Sequence, residues 1–361
     1  YPSFYGGFET LVRHLAPFLA DNGWDVTVYG RRARCRAHRF DRDDRVDSIM
    51  TRGIDSRSLS TLTHGFTAAI DAARRKPDVA LVLNVANGFF LPMLQARGIP
   101  TVVNVDGLEW ERAKWGRGAK AAFRSGAKLT ARYADSLVYD SREIASSWSV
   151  NFHRDGDFIP YGGTDPGPLD PIEELSDRPY ALLVARFVPE NSIDEFLTAA
   201  EELGKKWNIA IVGSASKGGG ELEDRAAALS SQSSRIHWFG HLDDDRKLFA
   251  LWQHAGVYFH GHSVGGTNPS LVQAMACGTP IVARDTVFNR EVLADTGIFT
   301  SPEPAEIAAT IDSLLNNPEQ QQKLRIAAKL RHVEHYSWES VCNAYAKTLS
   351  VAINQHAQAS V

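Results

Sequence analysis

Hydrophobic positions along the chain follow two periods that take turns. Phe8, Leu11, Val12, Leu15 and Leu19 recur every three or four residues and Gly23 follows as a stop, which predicts an amphipathic helix. The run Asp25-Val-Thr-Val-Tyr29 then predicts a strand. The exchange continues with a helix over Leu59–Ala73, a buried strand over Val79–Leu83 and a strand over Thr101–Asn104. A long helix over Glu111–Tyr133 and a short strand over Ser136–Tyr139 complete the series. Short apolar runs alternating with helical stretches predict a parallel sheet covered by helices on both faces.

The segment from Gly162 to Pro179 is rich in Gly, Pro and Asp and reads as a linker. The alternation restarts beyond it, with strands expected at Tyr180–Ala185, Ile209–Val212, Ile236–Phe239, Val257–His260 and Ile281–Ala283. The stretch from Pro304 to about Gln355 is helical throughout, with Pro318 and Trp338 at joints. The expected fold class is therefore α/β, with two Rossmann-like doubly wound domains facing across a central cleft. The expected bounds are 1–163 and 164–335, with a helix over 336–361 packing back toward the first domain. Ligands of such sheets bind beyond the carboxyl ends of the strands, which places the expected site in the cleft. Gly6-Gly7 has the look of a turn between a strand and a helix, but only Tyr1–Tyr5 precede it. The expectation is that an opening strand lies upstream of the given sequence.

Composition narrows the class without naming the chemistry. Of 361 residues, 43% are hydrophobic and 23% charged, which is globular rather than disordered. A net charge of −4 offers no global attraction to nucleic acid, so no nucleic-acid partner is expected. Cys35, Cys277 and Cys342 are far apart and form no zinc-spaced cluster, which fits a reduced, cytoplasmic chain. No apolar run is long enough to span a membrane.

Five segments carry candidate chemistry. Tyr5-Gly-Gly-Phe-Glu-Thr10 opens a helix, where backbone N–H groups and the helix dipole favour an anion; a plain tight turn is the equal alternative. Ala185-Arg-Phe-Val-Pro-Glu-Asn191 follows a strand, so Arg186 can grip a diphosphate and Asn191 can cap the next helix; a surface ion pair for Arg186 is the alternative. His260-Gly-His-Ser-Val-Gly-Gly-Thr-Asn-Pro-Ser270 is the most informative segment. A strand runs into a loop dense in small and polar residues and then into a helix opened by Pro269. Asn104-Val-Asp-Gly-Leu-Glu-Trp110 aims Asp106 from a strand end toward the cleft, unless it is a simple Asp-Gly turn. Finally, Arg117, Lys120, Arg124 and Lys128 share one face of the helix around 115–133, with Trp115, Ala119, Ala122, Leu129 and Tyr133 on another. That is either a membrane-docking surface or an ordinary solvated face. Asp41/Asp43, Asp155/Asp157 and Asp243–Asp245 lack the setting of a metal site, and Asp243 reads better as a helix cap. Gly213–Gly218 is no dinucleotide fingerprint.

Taken together, the motifs YGGFET, NVDGLEW and HSVGGTNPS make the whole chain resemble the retaining glycosyltransferases of family four, which have the GT-B fold. Within that family it is similar to a rhamnosyltransferase-like subgroup. The resemblance implies transfer of rhamnose or a similar hexose, with retention and without metal, to a glycan or polyprenyl-linked acceptor. It implies no cofactor beyond the donor itself, linked to dTDP or UDP. It implies that Gly6 and Gly7 approach the donor diphosphate and that Arg186 neutralises it as it leaves. Asp106 would stand where many relatives place a histidine against the reacting sugar. Asn191, His262, Gly265, Gly266, Thr267, Asn268, Ser270 and Gln273 would complete the donor site. Two family glutamates are replaced here by Gly265 and Gln273, and a phosphate-binding lysine by Asn191. The expected location is cytoplasmic, at the inner face of the plasma membrane. A sugar-nucleotide epimerase of the same architecture and a non-catalytic binding subunit remain the alternatives.

Overall fold

The computed structural model describes residues 6–30, 43–53, 60–111, 115–215 and 219–359. They form two compact units, one running to Tyr161 and resuming at Trp338, the other spanning Gly162–Ser337.

The first unit begins with α1 (Gly7–Asp21), β1 (Val26–Gly30), β2 (Val46–Met50) and α2 (Ser60–Arg75). It continues with β3 (Ala80–Leu83), α3 (Leu91–Gln95), β4 (Thr101–Asn104), α4 (Arg117–Tyr133), β5 (Ser136–Tyr139), α5 (Arg142–Phe152) and β6 (Asp157–Phe158). Strands β3, β4, β5 and β6 pair in that order, all parallel, while β1 pairs with β2 in a separate two-stranded sheet. The helical period of α1 does what it predicts: Leu11, Leu15 and Leu19 are buried against Val102, Val138 and Ile159. The last helix of the chain, α13 (Trp338–Ala359), adds Val341, Tyr345, Leu349 and Ala352 to the same core. Trp338 stacks on His14 of α1 with ring centroids 4.2 Å apart, which fixes where α13 enters.

The second unit contains β7 (Tyr180–Val184), α6 (Ile193–Leu203), β8 (Asn208–Val212), α7 (Glu221–Gln232), β9 (Ile236–Trp238) and α8 (Asp245–His254). Then come β10 (Val257–His260), α9 (Pro269–Ala276), β11 (Ile281–Arg284), α10 (Val287–Leu293), β12 (Ile298–Thr300), α11 (Pro304–Leu315) and α12 (Pro318–His335). The sheet is fully parallel, in the order β12-β11-β10-β7-β8-β9. Side chains alternate across it as strand geometry requires. Ala181, Leu183, Ile209, Ile211, Val257 and Phe259 face a core built with α6 and α11. Tyr180, Leu182, Ala210, Tyr258 and Ala283 face the other, with α8, α9 and α12. Order reversal at the centre, where β10 and β8 flank β7, is the topological switch point at which doubly wound sheets bind ligands.

Several local expectations are corrected. The long helix starts at Arg117, not at 111, because Glu109–Glu111 forms a 3-10 turn of its own. Ser192, not Asn191, is the N-cap of α6, and Asp244, not Asp243, caps α8 by accepting from the Lys247 N–H. In both cases the neighbour lies one residue too early to reach the first-turn donors. The expected linker begins where the second unit begins, at Gly162, and is bonded into that unit. His332 bonds the Gly163 carbonyl, Lys329 pairs with Asp165, and Gln253 bonds the backbone of Gly167 and Leu169.

Candidate functional site

The carboxyl end of β7 holds Arg186. Its guanidinium is exposed and has neither an ion pair nor a hydrogen bond among the described residues, so the surface-pair alternative for it is not what the structure contains. The turn behind it is rigid: Asn191 is buried, and its Nδ2 donates to the Arg186 carbonyl at 2.8 Å. Asn191 thus shapes the Arg186 turn from within. Ser192 follows in the left-handed region at φ 53°, rare for a residue with a Cβ and a mark of imposed geometry.

The loop after β10 is stitched to that turn. The Ser192 hydroxyl donates to the Gly261 carbonyl, and both the N–H and the hydroxyl of Ser263 donate to the Glu190 carbonyl at 2.9 Å. Gly261 needs to be glycine because a Cβ there would run into the Asn191 carbonyl. Asn289 of α10 donates to the His262 carbonyl at 3.0 Å. Gly265 takes φ 110°, Thr267 is buried, and Gly266 lies between them half-buried. Asn268 caps α9 by accepting from the Ser270 N–H at 3.0 Å, with Pro269 at the first helical position. Arg186, Asn191, His262, Gly265, Gly266, Thr267, Asn268 and Ser270 are therefore gathered at one edge of one sheet. His260, at the root of the loop, is fully buried and stacked on His262 at 4.4 Å; burial, then the neighbouring His262, pushes its pKa well below the ordinary value.

Gln273 faces Thr164. Its Oε1 accepts from the Thr164 N–H at 2.9 Å, and its Nε2 donates to the Thr164 carbonyl at 2.7 Å. The side-chain amide thus behaves as a neighbouring peptide group would. A carboxylate could accept from the N–H but would oppose the carbonyl, which gives a physical reason for glutamine at this position.

In the first unit the strand ends carry a different chemistry. Gly6 sits at φ 115° and Gly7 lies against the ring of Tyr161, where a Cβ would be 3.1 Å from the hydroxyl. The backbone favours glycine at position 6 and packing favours it at position 7, whatever they also bind. The Tyr161 phenol is buried among carboxylates, and burial, then Asp106 and Asp140, hold its pKa well above the usual phenol range. Asp106 follows β4 at φ 62°, and Asn84 follows β3 at φ 74°. Asn84 Nδ2 donates to Asp106 Oδ2 at 2.9 Å, and the Asp106 N–H donates to Asn104 Oδ1 at 2.9 Å. Asn104 in turn donates to the Tyr345 hydroxyl of α13 at 2.6 Å. Two non-glycine residues held left-handed side by side at strand ends mark a site whose geometry is enforced by its surroundings. Tyr161 thus packs against Gly7 and feels the charge of Asp106. Glu109 and Trp110 of the same motif serve packing: Glu109 accepts from the Trp115 indole at 2.7 Å, and Trp110 meets Trp148 and Phe152.

Sequence reasoning missed Asn84, Tyr161, Asn104, Ser192 and Arg284. Asn84 was findable, since it follows an apolar strand as Asp106 does; Tyr161 carries no local signal. Among the described residues no cluster of His, Cys, Asp or Glu is arranged to hold a metal ion. No described helix is long and apolar enough to cross a membrane.

Comparison with known proteins matches these two edges to a known pair of domains. The family described as "Glycosyl transferase 4-like domain" matches residues 6–154, and "Glycosyl transferases group 1" matches residues 170–331. An uncharacterized glycosyltransferase of Methanocaldococcus jannaschii is 26% identical over 63% of this chain, which spans 61% of that protein's length. An MMP alpha-(1->4)-mannosyltransferase of Mycolicibacterium hassiacum is 27% identical over 96% of this chain and 94% of its own. Among solved structures, sucrose-phosphate synthase from Thermosynechococcus elongatus superposes with a TM-score of 0.77 at 17% identity, covering 95% of this chain and 92% of that one. Anabaena HepE in complex with UDP-glucose gives 0.74 at 15% identity, covering 96% and 97%. With both domain types in order along one chain and two parallel Rossmann-like sheets beneath them, this chain belongs to the group 1 glycosyltransferases and has their GT-B fold.

Proposed function

We propose that this protein transfers a hexose, with retention of configuration, from a nucleoside diphosphate donor to a glycan or polyprenyl-linked acceptor. The observation that carries the reading is the edge of the second unit. There an uncompensated arginine stands at the end of the central strand beside a loop of small polar residues locked by hydrogen bonds. Such an edge suits a diphosphate whose charge grows as the sugar departs. Arg186 neutralises that charge, and N–H groups of Gly265–Ser270 hold the phosphates and the sugar. The leaving phosphate accepts the acceptor's proton on the same face, so no protein nucleophile and no metal are needed. Asp106, aimed by Asn84, stabilises the positive charge that builds on the sugar.

Rhamnose carried on dTDP is the favoured donor. Gln273 Oε1 already accepts one hydrogen bond from Thr164 and keeps one lone pair, enough for a single ribose hydroxyl. A deoxyribose presents one hydroxyl where a ribose presents two. Mannose is the second reading, because the Mycolicibacterium relative and an O-antigen chain mannosyltransferase B of Escherichia coli, 24% identical over 52% of this chain, are named for it. The test is mass spectrometry of products from dTDP-rhamnose, GDP-mannose and UDP-glucose offered with polyprenyl-linked acceptors. Acceptors heavier by one deoxyhexose support the first reading and by one hexose from GDP-mannose the second; unchanged acceptors with every donor count against both.

Acceptors of that kind call for a membrane surface, and α4 offers one. Arg117, Arg124, Lys128 and Arg132 are exposed and Lys120 half-buried, while Gly126, Ala127 and Thr130 face the protein. Phe89, next to Gly126, stands exposed in the turn packed against α4, and Phe66 of α2 stands exposed against Phe90 of that turn. The proposed location is the cytoplasmic face of an anionic membrane.

A further inference from the structure

We infer that Arg284 is a second diphosphate-binding cation of the donor site, partner to Arg186; the inference rests on the donor reading proposed above. Arg284 closes β11, and Arg186 follows β7. Between those strands lies β10, whose carboxyl end opens the loop 261–268. Neighbouring strands are about 4.8 Å apart, so the two arginines start about 10 Å apart on either side of that loop. Both point of attachment and chemistry therefore bracket the same backbone.

The guanidinium is placed rather than loose. Its Nη1 donates to the Ser192 hydroxyl at 2.9 Å, and that hydroxyl is itself fixed by donating to the Gly261 carbonyl. Ser192 is fully buried and left-handed, so the anchor cannot drift. Asn289 clasps the Arg284 carbonyl at 2.8 Å and the His262 carbonyl at 3.0 Å, tying the root of Arg284 to the donor loop. One donor is thereby used for positioning, and the remaining guanidinium donors have no partner among the described residues.

The charge is also left over. Arg284 is half-buried, yet no carboxylate lies within ion-pair distance of it among the described residues. The adjacent Asp285 is consumed by Arg290, which it holds through both oxygens at 2.6 and 2.8 Å. Glu190, whose backbone is stitched to the same loop, makes no ion pair with Arg284 either. A half-buried cation without a counter-ion is unfavourable unless a ligand supplies one. A guanidinium fork recognises the oxygens of a phosphate. With Asn191 spent on the Arg186 carbonyl and carrying no charge, Arg284 supplies the second positive charge that two phosphates require.

Calorimetry decides it. Wild type, Arg284→Gln and Arg284→Lys are titrated with UDP, dTDP and GDP, and with the monophosphate of whichever binds best. Arg284→Gln is expected to weaken the diphosphate about 10- to 100-fold, the loss of one charge-assisted hydrogen bond, and the monophosphate far less. Arg284→Lys, which keeps the anchor distance and charge without the fork, is expected to lose affinity less but with the same preference. The fall in affinity from low to high salt should be shallower in Arg284→Gln than in wild type. Equal losses for mono- and diphosphate would mean that Arg284 only braces Ser192 and would overturn the inference. Unchanged diphosphate affinity in Arg284→Gln would do the same. If wild type binds none of the nucleotides, the donor reading itself fails.

Discussion

The two units present opposite chemistries at the carboxyl ends of their strands. In the second unit, two guanidinium groups without ion pairs flank a neutral loop rich in glycine, serine and threonine. In the first, burial and then the charges of Asp106 and Asp140 hold the Tyr161 phenol's pKa high, and two residues are held left-handed to aim their side chains. One edge suits an accumulating negative charge, the other a developing positive one. Topology alone does not distinguish them, because both are parallel sheets ending in loops. What separates them is which side chains lack counter-ions in one, and which are over-constrained by partners in the other.

The largest effect should come from the cationic edge. Arg186→Ala is expected to reduce kcat by about 10²- to 10³-fold, the loss of roughly 2.7–4 kcal/mol of charge stabilisation, with little change in melting temperature because the side chain is exposed. Near-wild-type turnover would break the comparison at its stronger end. On the acidic edge, Asp106→Asn should lose about 10²-fold in turnover while keeping fold and donor affinity, since asparagine tolerates the left-handed region. Asn84→Asp sharpens this. A second carboxylate at 2.9 Å from Asp106 would raise the pKa of the pair, so the acid limb of the pH–rate profile should move up. An unmoved limb would mean that the Asp106 charge has no part in turnover.

Next in size is Gln273→Glu. It opposes a carboxylate to the Thr164 carbonyl and should destabilise the second unit by about 1–3 kcal/mol at pH 8. The introduced carboxyl should have its folded pKa raised above the unfolded value. Its protonated form can donate to Thr164 as the amide does, so the deficit should shrink as pH falls toward 5. A deficit that ignores pH would show that the amide contact is dispensable. The same variant should gain more affinity for UDP than for dTDP if one ribose hydroxyl is read here.

The smallest effect concerns the acid stability of the first unit. Burial, then Arg13, lowers the His14 pKa to about 4, so the folded state holds this ring neutral against Trp338. The unfolded chain binds a proton near 6.5, so the stability is present above that value and is lost as pH falls toward 4. His14→Phe keeps the stacking and should lose less melting temperature between pH 7 and 4.5 than wild type. Parallel losses would remove His14 from the account.

Much of the fold was legible because its signals are local. The periods of α1 and of β7 through β11 follow from side chains that alternate or recur on buried faces. The second-unit site was legible for the same reason: one continuous loop carries most of it. Of the first-unit candidate site the sequence offered Gly6, Gly7 and Asp106; Asn84, Tyr161 and Tyr345 come from other places in the chain and join the network only through packing. Arg284 and Ser192, 92 positions apart, were hidden likewise. Gln273 was visible as a departure from a family pattern, but its reason, the backbone of Thr164, was 109 positions away.

The central claim is that a sugar leaves its nucleoside diphosphate for an acceptor and keeps its configuration. Time-resolved NMR of donor and acceptor with the purified protein tests it most directly. The account predicts that the donor's anomeric signal disappears only when acceptor is present, and that a product signal of the same anomeric configuration grows in step with free nucleoside diphosphate. Interconversion of donor sugars without acceptor, or a product of inverted configuration, would contradict it.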